Sequence, residues 1–145
     1  MLRYDQRRVA VGRGRWKLGS MVAALALAAV ACGSTGTAVV ETVAASDAAA
    51  LLEGDPAAVL LDIRTPEEFG EGRLEGAVNI DFYAADFAGQ LAELDRDATY
   101  VIYCRSGNRT TAALDTFRDL GFTSVHAVEG GIVAWEATGH LVIRG

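Results

Sequence analysis

Residues 100–110 read YVIYCRSGNRT, and the order of residue types in this stretch decides the fold. Its first four residues are apolar, β-branched or aromatic, as in a strand covered on both faces. Arg105, Ser106 and Gly107 then turn the chain. From Asn108 to Leu120, Ala112, Ala113, Phe117 and Leu120 recur at helical spacing, and Gly121 suits the C-terminal cap. A buried strand, a short loop and an amphipathic helix in that order form one β-α unit of a parallel sheet. Cys104 sits between the strand and the loop.

The same alternation extends outward on both sides. Upstream, Ser46 and Asp47 are placed to cap a short helix through Glu53, and Gly54-Asp55-Pro56 stops it. Residues 57–63 (AAVLLDI) form an almost continuous apolar run of strand length. Pro66 opens a short helix through Gly70, with Glu67 and Glu68 at its positive end. Residues 76–80 (GAVNI) predict a further strand, and Phe87, Leu91 and Leu94 predict a helix over 86–94. Downstream, residues 125–128 predict a strand and 130–138 a last helix closed by Gly139. Residues 44–145 thus predict an α/β sandwich, a mainly parallel sheet with helices on both faces.

A chain of 145 residues, 51% hydrophobic and 22% charged, has room for one such domain. Six of its thirteen basic residues precede position 18, and residues 18–31 (LGSMVAALALAAVA) carry no charge. That run is shorter than the roughly 20 apolar residues a membrane span needs, so residues 1–31 read as a signal peptide. Ala29-Val30-Ala31-Cys32-Gly33-Ser34 resembles the lipobox of bacterial lipoproteins, departing at Ala29 where that family usually has Leu. The resemblance implies lipidation at Cys32 and a protein exported and anchored to the outer face of the membrane or in the periplasm. Cys32 as a free thiol, or as a disulfide partner of Cys104, stays open beside it. Residues 33–43 (GSTGTAVVETV) read as a flexible tether.

After Cys32 the chain holds seven Arg, no Lys and eighteen acidic residues, a formal charge of −11. That balance argues against nucleic acid as a partner and against electrostatic adhesion to an anionic bilayer. No internal repeat, coiled-coil heptad or metal-type Cys/His spacing occurs downstream, so neither a metal nor a cofactor is expected. His126 and His140 receive no role.

Cys104 lies at the start of a helix, where backbone N–H groups and the helix dipole favour thiolate over thiol, and Arg105 and Arg109 add positive charge. The crevice at the carboxyl ends of parallel strands is the usual ligand site of such sheets. The expectation is an exposed, anion-receptive nucleophile. A strand-end cysteine that is merely small and inert is the bland alternative.

Cys104-Arg105-Ser106-Gly107-Asn108-Arg109-Thr110 resembles the CRSGxR[ST] active loop of rhodanese-family sulfurtransferases. The likeness extends to residues 60–64 (LLDIR) with Glu67-Glu68-Phe69, to 72–80 (GRLEGAVNI), and to 128–132 (VEGGI) with Trp135. Arg73 and Glu75 depart from the family's usual Gly-His-Ile-Pro-Gly. The resemblance implies a rhodanese-like three-layer sandwich. It implies that Cys104 takes the outer sulfur of a small anionic donor such as thiosulfate as a persulfide and passes it to cyanide or a thiol. It further implies that residues 105–109 cradle the persulfide through their amides, with Arg105 and Arg109 attracting the donor and Thr110 adding a hydroxyl. Asp62 and Arg64 read as a structural pair, and Gly130, Gly131 and Trp135 as shaping the last turn and core. Two other classes compete. One is a non-catalytic rhodanese-like binding or redox-sensing module. The other is the dual-specificity phosphatases and arsenate reductases, whose Cys-x5-Arg loops are one residue longer than Cys-x4-Arg here.

Overall fold

A computed structural model describes residues 37–145. The signal peptide, Cys32 and the first part of the tether lie outside the described residues.

The chain opens with strand β1 (Val39–Val43), then helix α1 (Ala45–Gly54), strand β2 (Val59–Asp62) and helix α2 (Pro66–Glu71). The two-residue strands β3 (Gly72–Arg73) and β4 (Val78–Asn79) follow, then helix α3 (Phe87–Ala92), strand β5 (Thr99–Tyr103) and helix α4 (Asn108–Asp119). Strand β6 (Ser124–Val128), helix α5 (Gly131–Ala137) and strand β7 (Ile143–Arg144) complete it. β1, β6, β5, β2 and β4 form a five-stranded sheet in that order, and every pairing in it is parallel.

Helices cover both faces, which gives the expected three-layer α/β sandwich. On one face Phe87 and Leu91 of α3 and Ala113, Leu114 and Phe117 of α4 pack on Leu61, Tyr100, Ile102 and Val125. On the other, Ala45, Ala48 and Ala49 of α1 and Ile132 and Trp135 of α5 pack on Leu60, Val101, Tyr103 and Val128. The small alanines of α1 bring its backbone close to the sheet. The aromatics Tyr103, Phe117 and Phe122 are among the largest fully buried side chains.

Several expectations are corrected. Val39–Val43, read as tether, is an edge strand in parallel register with β6, from Val39 opposite Ser124 to Val43 opposite Val128. Four of its five residues are β-branched, which suits a pleated surface once a partner exists. The domain therefore begins before residue 44. α1 is capped by Ala44 with no side-chain bond, while the Ser46 hydroxyl turns to Asp47 instead. The strand expected over 76–80 shrinks to Val78–Asn79, and β3 pairs antiparallel with β7 in a small second sheet. α2 is built as expected: Pro66 stands in its first turn, and Thr65 and Glu68 form a reciprocal capping box.

This topology sets the position of the site. After β2 the chain runs outward to β4, then returns to lay β5 on the opposite side of β2. The crevice where strand order reverses lies at the carboxyl ends of β2 and β5. Cys104 follows the last residue of β5.

Candidate active site

Strand β5 delivers Cys104, and α4 begins four residues later, so the intervening loop must turn sharply. Gly107 makes that turn at φ +94°, a left-handed conformation that a side chain would strain. A Cβ at Gly107 would also come within 3.1 Å of the Gly130 nitrogen, so the loop packs directly on the turn that opens α5. The Gly107 amide then points back at Cys104 and donates to its Sγ at 3.1 Å. The Gly107 carbonyl is held by the hydroxyls of Thr110 and Thr111 at 2.8 and 2.9 Å.

Cys104 is a free thiol, 1% exposed, so the exposed nucleophile expected from the sequence is corrected. The loop wraps the sulfur, and amides take the place of water around it. Burial pushes its pKa up, but the amides of Thr110, Ser106, Gly107 and Arg109 outweigh burial and hold the thiol below its ordinary value. The Thr110 Oγ1 stands 4.0 Å from Sγ. This arrangement favours a thiolate, with the amide donors directed at the sulfur.

The expected loop residues come together around Cys104, with their side chains differently disposed. Arg105, Ser106 and Asn108 are exposed, whereas Gly107 and Thr110 are buried. Arg109, expected to face the donor, binds Glu68 of α2 through both terminal nitrogens, at 2.7 and 2.8 Å. Its Cζ lies 5.6 Å from the centre of the Tyr83 ring. Glu68 is pulled down to about 2, chiefly by that guanidinium. Neither Glu68 nor Tyr83 was singled out as a site residue. The Thr65-x-x-Glu68 capping pattern was the signal for a fixed Glu68, while Tyr83 carried none.

Two further features hold the loop in place. The Ile132 amide of α5 donates to the Cys104 carbonyl at 2.8 Å, so α5 pins the end of β5 from behind. Beside β5, Asp62 and Arg64 form the expected structural pair: Asp62 is 0% exposed, Arg64 6%, and an Arg64 nitrogen meets Oδ2 at 2.6 Å. The same nitrogen donates to the Gly72 carbonyl at 2.6 Å, which ties β3 to the crevice. Tyr103, pushed upward by burial, accepts the Leu74 amide at 3.1 Å. Among the described residues no cluster of His, Cys, Asp or Glu is arranged to hold a metal ion.

The family described as Rhodanese-like domain matches residues 44–138. The putative sulfurtransferase YtwF of Bacillus subtilis is 39% identical over 85 residues, covering 59% of this chain and 80% of that protein. The thiosulfate sulfurtransferase GlpE of Pseudomonas putida is 37% identical over 82 residues, covering 56% of this chain and 72% of that protein. Among solved structures, a rhodanese-related protein from Thermoplasma volcanium superimposes with a TM-score of 0.61 at 32% identity, covering 71% of this chain and 97% of that one.

Proposed function

The chain belongs to the rhodanese-like family, and from that premise we propose that it is a sulfurtransferase working through a persulfide on Cys104. The observation that carries this reading is the Cys104 sulfur itself, wrapped by loop amides, with the Gly107 N–H at 3.1 Å and the thiol pKa lowered. Relatives named as sulfurtransferases support it.

In the first half-reaction, Cys104 thiolate attacks the outer sulfur of a donor such as thiosulfate. The donor S–S bond breaks, sulfite leaves with the bonding electron pair, and the transferred sulfur stays on Cys104 as a persulfide anion cradled by the amides of residues 106, 107, 109 and 110. In the second, a thiol or cyanide attacks that terminal sulfur and Cys104 leaves as thiolate. The competing phosphatase or arsenate reductase chemistry needs a longer loop and an arginine free to grip a tetrahedral oxyanion. Here the loop is Cys-x4-Arg and Arg109 is held by Glu68.

Intact mass of the purified protein after incubation with thiosulfate tests the proposal. Wild type gains one sulfur atom and loses it to cyanide with formation of thiocyanate, and Cys104→Ser, whose alcohol is far less ionised, gains none. A wild-type protein whose mass changes neither with thiosulfate nor with any other sulfane-sulfur donor would leave the non-catalytic binding module as the correct reading.

We further propose that the domain acts outside the cytoplasm, tethered through a lipidated Cys32. The charge-free run of residues 18–31 behind an Arg-rich start supports this.

A further inference from the structure

A guanidinium beside a nucleophilic sulfur is the natural receptor for a multiply charged donor, and Arg109, in the first turn of α4, occupies that place. Its charge is already spent: both terminal nitrogens bind the Glu68 carboxylate, at 2.7 and 2.8 Å. Glu68 is not free to swing aside. Its Oε2 accepts the Thr65 amide at 3.1 Å, and its own amide donates to the Thr65 hydroxyl at 3.3 Å. The α2 cap therefore holds Glu68 in place beside Arg109. Arg64 is neutralised in the same way by Asp62. Of the loop's two arginines, Arg105 alone presents an exposed charge, on a domain whose formal charge is −11.

We infer that Glu68 is a positioning residue that biases this site toward sulfane-sulfur donors of low charge, small hydropersulfides, and against the thiosulfate dianion. The inference rests on the sulfurtransferase reading above and adds the donor class. With a hydropersulfide R–S–SH, Cys104 thiolate attacks the outer sulfur, the donor S–S bond breaks, and R–S⁻ departs with the electron pair. Cys104 is left as Cys–S–SH, and no outside oxidant or reductant is needed. A hydropersulfide carries at most one negative charge, so it depends less than a dianion on a free guanidinium as receptor. A dianion gains little from Arg109 and is opposed by the acidic domain.

The test compares sulfur uptake from thiosulfate and from the hydropersulfide of 2-mercaptoethanol, in wild type and in Glu68→Gln, with folding checked by circular dichroism. In wild type, kcat/KM is higher for the hydropersulfide. In Glu68→Gln, which keeps an acceptor for Thr65 but frees the charge of Arg109, the thiosulfate KM falls about tenfold while kcat and the hydropersulfide constants change little. A purely structural role would lower both donors' rates together and overturn the inference, as would an unchanged ratio. Wild type gives an independent readout. Its thiosulfate KM stays level or falls as salt is raised, because repulsion is screened, and a steep rise would overturn the inference even if the variant failed to fold. If wild type takes sulfur from neither donor, the sulfurtransferase reading fails and this inference with it. If it takes sulfur but Glu68→Gln does not shift the donor ratio, only the inference fails.

Discussion

Gly131 stands directly behind the carbonyl of Cys104: a Cβ built on it would lie 2.3 Å from that oxygen and 2.7 Å from the Arg105 carbonyl carbon and oxygen. Its φ of +58° is left-handed as well. Both facts follow from one arrangement, in which the first turn of α5 closes against the backbone of the active loop so that Ile132 can donate to Cys104.

Gly131→Ala therefore acts on the active loop and not only on α5. The added methyl must push against backbone, which cannot rotate away as a flexible side chain would. We expect a loss of about 2 kcal/mol or more in stability, from the left-handed conformation and the clash together. Sulfur uptake on Cys104 should fall at least about tenfold because the amides move off the sulfur. Thermal unfolding and single-turnover uptake measure the two effects. Wild-type uptake in the variant would show that the loop holds its geometry without α5.

The amide-wrapped sulfur gives a pH dependence of definite sign. Burial pushes Cys104 up and four amides pull it down further, so its folded pKa lies below the ordinary 9.0. Uptake under limiting donor should rise with pH as thiolate forms, with an inflection below 9.0 that matches the ultraviolet absorbance of the thiolate. An inflection at or above 9.0 would mean that desolvation wins over the amides.

Glu68 makes a separate prediction on acid stability. Its ordinary carboxyl value of 4.5 is lowered to about 2 in the folded protein, chiefly by Arg109. A group whose folded pKa is depressed stabilises the fold above its unfolded pKa, and that contribution is lost as pH falls through the folded value. Wild type should thus be more stable than Glu68→Gln at neutral pH, by about 1–2 kcal/mol after solvent screening of a partly exposed pair. The difference should shrink between pH 4.5 and about 2. Urea unfolding across that range measures it, and a difference that stays constant with pH would assign the effect to packing.

The parts of the fold legible in the sequence were those whose periodicity is local. The YVIY strand, the helix from Asn108 and the Pro66 helix each carry their own pattern of apolar spacing and end signals, and they were placed to within a residue or two. β1 was missed because VVETV abuts a Gly- and Thr-rich run and becomes a strand only by pairing with β6, near the other end of the chain. β3 and β7 are two residues each and exist only through each other. The site divides in the same way. The loop residues around Cys104 are contiguous and were found together. The burial of Cys104 depends on the core cluster it joins with residues such as Leu61 and Ile80, and the engagement of Arg109 depends on Glu68, 41 residues away, so neither is written in the loop itself.

The last prediction concerns where the domain is held. Among the described residues no helix is long and apolar enough to cross a membrane, and the domain's formal charge of −11 opposes adhesion to an anionic bilayer. Attachment in our proposal therefore rests on lipid at Cys32. Each buried CH₂ contributes roughly 0.8 kcal/mol, so a diacyl or triacyl group holds the domain without help from its surface. Cys32→Ala should move the protein from the membrane fraction to the soluble exported fraction or stop its maturation, while uptake of sulfur by Cys104 in the purified domain stays the same. Fractionation of cells expressing each form, with mass analysis of the mature N-terminus, decides the matter. Identical partitioning of the two forms, or an unlipidated mature N-terminus, would refute the tether and return Cys32 to the alternatives of a free thiol or a disulfide partner.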